Sequence, residues 1–72
     1  MSYYNVLILT RKDKSGHDYQ SESVYFGENE RLMQVGFYKA VRKAQQMPDA
    51  EYVVVWHDLE QILKVRIEHS TP

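Results

Sequence analysis

The sequence contains no cysteine, which excludes disulfide scaffolds, thiol catalysis and thiolate zinc sites. No apolar run approaches the roughly 18 residues that a membrane-spanning helix needs, so we predict none. Acidic and basic residues nearly balance, since ten acidic and nine basic residues give a formal net charge of −1. That balance argues against both a polybasic nucleic-acid binder and an acidic DNA mimic. With three glycines in total, a glycine-rich nucleotide loop is not expected.

The chain has 72 residues, of which 43% are hydrophobic and 26% charged, as is ordinary for a folded protein. A chain of this length has room for one core, and we expect residues 1–72 to form a single domain. Small domains of this kind are often reinforced by association with a second copy. Because the first residues do not combine a basic segment with an apolar one, we expect a cytoplasmic protein.

Four segments have the β-branched, aromatic or alternating composition of strands. These predicted strands are residues 3–10, 17–26, 51–57 and 62–68. The first and third are apolar on both faces, whereas the second is mostly polar, as suits a sheet edge. In the fourth, strict alternation places Leu63, Val65 and Ile67 toward the core.

Between the second and third strands, helical periodicity predicts a helix over residues 30–46. Asn29 is the predicted N-cap, and Pro48 with Asp49 ends the helix. One stripe of this helix is apolar or small, and it consists of Met33, Gly36, Phe37, Ala40, Val41, Ala44 and Met47. Its small residues predict close packing of the helix on the sheet. We expect Phe37 and Val41, with Leu63 and Val65 of the last strand, to be largely buried.

The element order is therefore β-β-α-β-β. Short connections make the first and last strand pairs antiparallel, and a right-handed crossover that skips one position brings the first strand beside the third. These rules predict an α+β fold, a four-stranded antiparallel sheet of order 2-1-3-4 with one helix on one face. The two most apolar strands then lie in the centre.

One helix covers only one face of such a sheet, yet both central strands are apolar on both faces. Tyr52, Val54 and Trp56 share one face of the third strand and form a candidate interface, since large apolar patches mark interaction sites. Three readings stay open: central strands that are simply apolar, a homodimer through this face, or a different protein partner. A dimer through the edge of the fourth strand is a further variant.

Opposite its apolar stripe, the predicted helix carries a basic face with a tyrosine and a valine. These candidate partner-binding residues are Arg31, Val35, Tyr38, Lys39 and Arg42. Such a face suits an acidic protein surface or a nucleic-acid backbone, although many charged helix faces are only solvated. A second basic patch is predicted in the first turn at Arg11, Lys12 and Lys14.

No recognised catalytic motif is present. His17, His57 and His69 are not at metal-ligand spacings, and His57 and Asp58 are neighbours whose side chains point to opposite faces of a strand. We therefore predict a protein that is not an enzyme and that needs no cofactor and no metal.

The arrangement of residues 6–10, of the helix with Ala40 and Ala44, and of the hairpin 52–67 resembles small phage-encoded inhibitor proteins, including some anti-CRISPRs. Those proteins place a single helix on a compact antiparallel sheet and act by occluding the surface of a host machine. The resemblance implies a small inhibitor or adaptor of phage or bacterial type. We predict a non-enzymatic protein-binding module that works as a homodimer. The alternative is a nucleic-acid-associated regulator that uses the basic helix face and the first turn.

Overall fold

A computed structural model describes residues 2–12 and 19–69. In it, alternating β-branched and aromatic residues form four strands, and the segment after Asn29 forms a helix. The elements follow the predicted order: β1 (Tyr4–Arg11), β2 (Tyr19–Gly27), α1 (Glu30–Gln45), β3 (Ala50–His57) and β4 (Glu60–Arg66). The predicted start of the second strand at residue 17 lies outside the described residues.

The four strands form one sheet in the order β2-β1-β3-β4, with every neighbouring pair antiparallel. The predicted α+β architecture and strand order are therefore confirmed. In the centre, Val6 of β1 lies opposite Val55 of β3, and Ile8 lies opposite Val53. The apolar strands are the inner ones, and the more polar strands β2 and β4 form the edges.

Both ends of α1 are fixed by local hydrogen bonds. The side chain of Asn29 accepts a hydrogen bond from the backbone N–H of Leu32 at 3.0 Å, which confirms Asn29 as the N-cap. At the other end, the backbone N–H of Gln46 donates to the carbonyl of Lys43 at 3.0 Å. The helix ends at Gln45, two residues after the last basic side chain of its final turn.

The small residues of α1 let the helix lie close to the sheet, as predicted. Gly36, Ala40 and Ala44 are all buried. A β-carbon added at Gly36 would lie 2.8 Å from the Cβ of Tyr25 in β2, closer than two carbon atoms can pack. The tight contact between helix and sheet at this point therefore requires glycine.

The covered face of the sheet, the face that α1 packs on, is lined by Val6, Ile8, Val53 and Val55, each fully buried. The sequence pattern left open which of the two apolar faces would meet the helix. The covered face proves to be the one that carries the even-numbered residues of β1. Half-buried side chains, Phe37 and Val41 among them, close the rim of this core.

The prediction for the last strand needs correction. Leu63 is 41% exposed, so the expectation that it is largely buried was wrong. Its register opposite Val55 does place it on the covered side, but within the described residues α1 packs on β1, β2 and β3 and not on β4. Phe37 and Val41 are partly buried and pack against the core, and Val65 is also partly buried. Ile67 is buried as expected, and its backbone N–H donates to the carbonyl of Glu51 at 2.8 Å.

Candidate binding surfaces

The face of the sheet turned away from α1 is here named the open face. It presents apolar and aromatic side chains along both central strands and at one end of the sheet. Its members are Tyr3, Leu7, Leu9, Phe26, Tyr52, Val54, Trp56 and Leu59. The three predicted interface residues Tyr52, Val54 and Trp56 are brought together here along β3, and Leu7 and Leu9 of β1 lie beside them.

Aromatic rings are concentrated at the end of the open face where β1 begins. The rings of Tyr3 and Phe26 stack with their centroids 5.3 Å apart. They border a depression of about 580 Å³, whose floor includes Leu7 and Trp56. Phe26 is 64% exposed, and Leu59 at the tip of the β3–β4 hairpin is 96% exposed, so two large apolar side chains stand in solvent at the rim.

The hairpin that carries Leu59 is tied to the beginning of β1 by two reciprocal hydrogen bonds. The backbone N–H of Tyr3 donates to Oδ1 of Asp58 at 2.8 Å, and the backbone N–H of Asp58 donates to the carbonyl of Tyr3 at 2.8 Å. Asp58 has a positive φ of 55°, a conformation that aspartate adopts more readily than bulky residues. The hydrogen bond from the backbone of Tyr3 holds the pKa of the Asp58 carboxyl below its ordinary value.

The other end of the open face is polar and already paired. The carboxylate of Glu51 lies 2.6 Å from Nη2 of Arg11, and it accepts a hydrogen bond from the hydroxyl of Tyr19 at 2.6 Å. That hydrogen bond raises the pKa of Tyr19 above its ordinary value. The ring of Tyr52 lies edge-on to Tyr19, and the ammonium of Lys64 lies 4.4 Å from the centre of the Tyr52 ring.

Between these two ends, the centre of the open face is buried by side chains of the sheet itself. Val54 is only 1% exposed although no helix covers it. Leu7 and Lys64 lie directly across from it on the two neighbouring strands, and Tyr52 and Trp56 flank it on β3. The uncovered sheet therefore carries an apolar strip along β1 and β3, bordered by polar side chains such as Asn5 and Lys64.

The second surface, named the helix surface, consists of the predicted residues Arg31, Val35, Tyr38, Lys39 and Arg42. All five are exposed on α1, and Val35 and Lys39 also line a small depression together with Val24 and Tyr25 of β2. Four of them, all except Arg31, line a shallow depression of about 320 Å³. The ring of Tyr38 is 67% exposed and meets the ring of Phe37 edge-on.

Of the predicted basic turn, Arg11 and Lys12 lie within the described residues. Arg11 is paired with Glu51 on the open face, which is the opposite side of the sheet from the helix surface. Lys12 is exposed, and Lys14 lies outside the described residues.

The histidines have structural contacts. The ring of His57 stacks on Tyr4 with the centroids 4.5 Å apart, while the neighbouring Asp58 carboxylate binds the backbone of Tyr3. A ring nitrogen of His69 lies 2.8 Å from the carbonyl oxygen of Ala50. His17 lies outside the described residues. Within residues 2–12 and 19–69, no three His, Cys, Asp or Glu side chains form a group that could hold a metal ion.

Two residues at the rim of the depression were missed as site residues in the sequence. The sequence pattern places Phe26 in a polar strand and Leu59 in a short connection, and it indicates a functional role for neither. A leucine in a short connection between two strands is itself a sequence signal for a binding site, because such turns are usually built from polar residues or glycine.

Comparisons with protein-family models, with curated proteins and with solved structures gave no match. In the described part of the chain, α1 is too short and too polar to cross a bilayer.

Proposed function

We propose that this chain is a non-enzymatic protein-binding module, an inhibitor or adaptor of phage or bacterial type that acts in the cytoplasm by occluding the surface of a partner. Two copies pair through the open face, and the two helix surfaces remain outside for the partner. The observation that carries this proposal is the apolar open face, with Phe26 and Leu59 exposed beside a depression of about 580 Å³. Exposed patches of this kind mark interaction sites.

The size of the open face suits a stable dimer. The molecule measures 39 × 27 × 15 Å, so its broad face covers at most about 1,050 Å² (39 × 27 Å). Stable protein interfaces bury about 800 Å² on each partner, a value that lies below this upper limit. Sheets that pack face to face also keep their strands roughly aligned, so two copies would form a sandwich with a helix on each outer side.

Charge favours a second copy as the occupant. A two-fold axis parallel to the strands, between β1 and β3, sets β1 of one copy over β3 of the other. Arg11 of one copy then lies toward Glu51 of the other, at the polar end of both sheets. The cationic edge at Lys64 lies over the neutral edge of β2 at Ser21 and Ser23 rather than over a second cationic edge. The face is therefore complementary to itself under this symmetry.

The same axis brings the two aromatic ends together. Phe26 on β2 of one copy approaches the β3–β4 hairpin of the other, where Leu59 stands in solvent. Protein interfaces combine an apolar centre with polar margins, and the open face combines apolar central strands with a polar end at Arg11 and Glu51.

Light scattering coupled to size exclusion tests the proposal. The expected mass at micromolar concentration is twice the 8.6 kDa of one chain. The variant Phe26→Asp/Leu59→Asp changes two exposed side chains and should be a folded monomer. The matched control, Leu32→Asp/Tyr38→Asp, makes the same kind of change at two exposed positions of α1 and should remain a dimer.

Three results would contradict this assignment. A wild-type mass of one chain at every concentration would exclude the dimer. A dimer that survives Phe26→Asp/Leu59→Asp would exclude the open face as its interface and favour the edge of β4. Dissociation of the control variant would place the contact on the helix instead. Circular dichroism of each variant shows that its fold is intact.

A further inference from the structure

We infer that the helix surface binds an acidic amphipathic segment of a partner protein, about three helical turns long. This inference rests on the proposed function, because it names the chemistry of the partner that the outer side of the dimer would take. It is carried by unpaired positive charge, by exposed apolar side chains between those charges, and by acidic residues that precede and follow this stretch along the chain.

The charge on this surface is not neutralised within the molecule. Residues 31–48 include four basic residues and no acidic one. Of the four, Lys43 turns toward the sheet and pairs with Glu22 of β2. Arg31, Lys39 and Arg42 form no ion pair with any described residue. A partner that brings carboxylates to these three side chains therefore gains new charge pairs without breaking existing ones.

Apolar side chains are exposed between the charges. Val35 and Tyr38 line the shallow depression with Lys39 and Arg42, and Leu32 stands exposed one turn before Gly36. Apolar anchors surrounded by charge are what an amphipathic helix recognises, since its own apolar stripe needs a partner and its flanks carry the complementary sign. A wholly polar acidic segment would leave these side chains in water.

The length of the surface is limited. Arg31 and Arg42 are separated by eleven residues of α1, or about 16 Å along the helix axis. Exposed Glu28 and Glu30 stand before this stretch, and exposed Asp49 stands after it. An acidic segment of about three turns fits between these ends, and a longer uniformly acidic chain would meet like charge at both.

The same limits argue against nucleic acid as the occupant. A phosphate backbone continues with regular negative charge past any 16 Å stretch, so it would approach the carboxylates at both ends of the surface. Three cations also allow only a few phosphate contacts, and nonspecific affinity depends on the number of phosphates neutralised.

Nuclear magnetic resonance titration of the full chain with defined peptides provides the test. The probe is a capped peptide of about 14 residues with leucines at i, i+4 and i+7 and glutamates on their flanks. A second peptide has lysine in place of every glutamate. We expect shift changes centred on Val35, Tyr38 and Arg42 with the acidic peptide, and binding at least about tenfold weaker with the basic one, from a few exposed charge pairs.

A pair of matched variants locates the charge effect. Arg31→Ala/Arg42→Ala removes two cations from the helix surface, and Lys12→Ala/Arg66→Ala removes two exposed cations elsewhere. Both variants have the same net charge, so a long-range effect would weaken both equally. We expect about five- to tenfold weaker binding in the first and less than about twofold in the second, from the loss of two local pairs.

Each contrary result overturns the inference in a distinct way. Equal binding of the two peptides, or equal loss in both variants, would exclude recognition of acidic segments by this surface. A 20-nucleotide DNA strand that binds more tightly than the acidic peptide, and that loses affinity in Arg31→Ala/Arg42→Ala, would assign the surface to nucleic acid. Absence of shifts with either peptide, in a sample that scatters light as a dimer, would remove this inference and leave the dimer standing.

Discussion

The two faces of the sheet are built from the same strands and from similar residues, yet they are buried by different means. On the covered face, Val6, Ile8, Val53 and Val55 are fully buried because α1 packs directly on them. On the open face, Val54 is as well buried, but it is sheltered by half-buried side chains of its own sheet. The comparison shows that apolar residues alone do not indicate where a helix lies.

The two faces differ in how completely they are covered. Small residues at Gly36, Ala40 and Ala44 bring the helix close, so the covered face has a complete second layer. The open face has only rings and long side chains lying beside one another, and at its aromatic end Phe26 and Leu59 remain in water. The first arrangement is completed within one chain, and under the proposed dimer the second would be completed by a second copy.

Truncation of neighbouring residues of β1 that point to opposite faces should separate the two kinds of burial. Ile8→Ala removes a fully buried side chain under α1 and should destabilise the fold by about 3 kcal/mol. Leu7→Ala removes a half-buried side chain on the open face and should cost about 1 kcal/mol in dilute solution, from a smaller loss of buried area. Urea unfolding at low protein concentration measures both. Equal losses in the free energy of unfolding of the two variants would show that the two faces are equally well packed.

The closeness of helix and sheet can be tested at Gly36. Gly36→Ala adds a methyl group 2.8 Å from the Cβ of Tyr25, so overpacking should outweigh the better helix propensity of alanine. We expect a net destabilisation of about 1 kcal/mol in urea unfolding. Gln34→Ala, at an exposed position of the same helix, serves as the control and should not destabilise. A more stable Gly36→Ala variant would contradict the tight contact.

The smallest expected effect is a pH dependence at the rim of the open face. Because the hydrogen bond from Tyr3 lowers the folded-state pKa of Asp58 below 3.8, its contribution to stability is present above that pH. It should be lost as the pH falls through the folded-state pKa. Asp58→Asn keeps an acceptor for Tyr3 but cannot titrate, so its urea midpoint should fall less between pH 5 and pH 2 than that of the wild type. Asp49→Asn, which removes an exposed carboxyl elsewhere, should behave as the wild type does.

Much of the fold could be predicted from the sequence because local and global signals agree. The N-cap at Asn29, the small-residue stripe of α1 and the polar character of the edge strands each pointed to the observed arrangement. The helix surface was also predictable, since five side chains opposite a buried stripe must be exposed. The strand order and the helix surface could both be predicted without knowledge of strand register.

Other features depended on where the helix lies across the sheet. Leu63 alternates correctly but is exposed, because α1 covers three strands and leaves β4 beside it uncovered. Which face the helix would meet could not be predicted, since both faces of β1 are apolar. The depression was missed because Phe26 and Leu59 come together from β2 and the β3–β4 hairpin, far apart in sequence.

The fluorescence of Trp56 tests the central claim most directly, because it is the only tryptophan of the chain and lies on the open face. If two copies pair through this face, the emission maximum should move to longer wavelength as the protein is diluted from high micromolar to nanomolar concentration. The variant Phe26→Asp/Leu59→Asp should show the long-wavelength emission at every concentration. An emission maximum that is independent of concentration and equal in the two proteins would contradict the account.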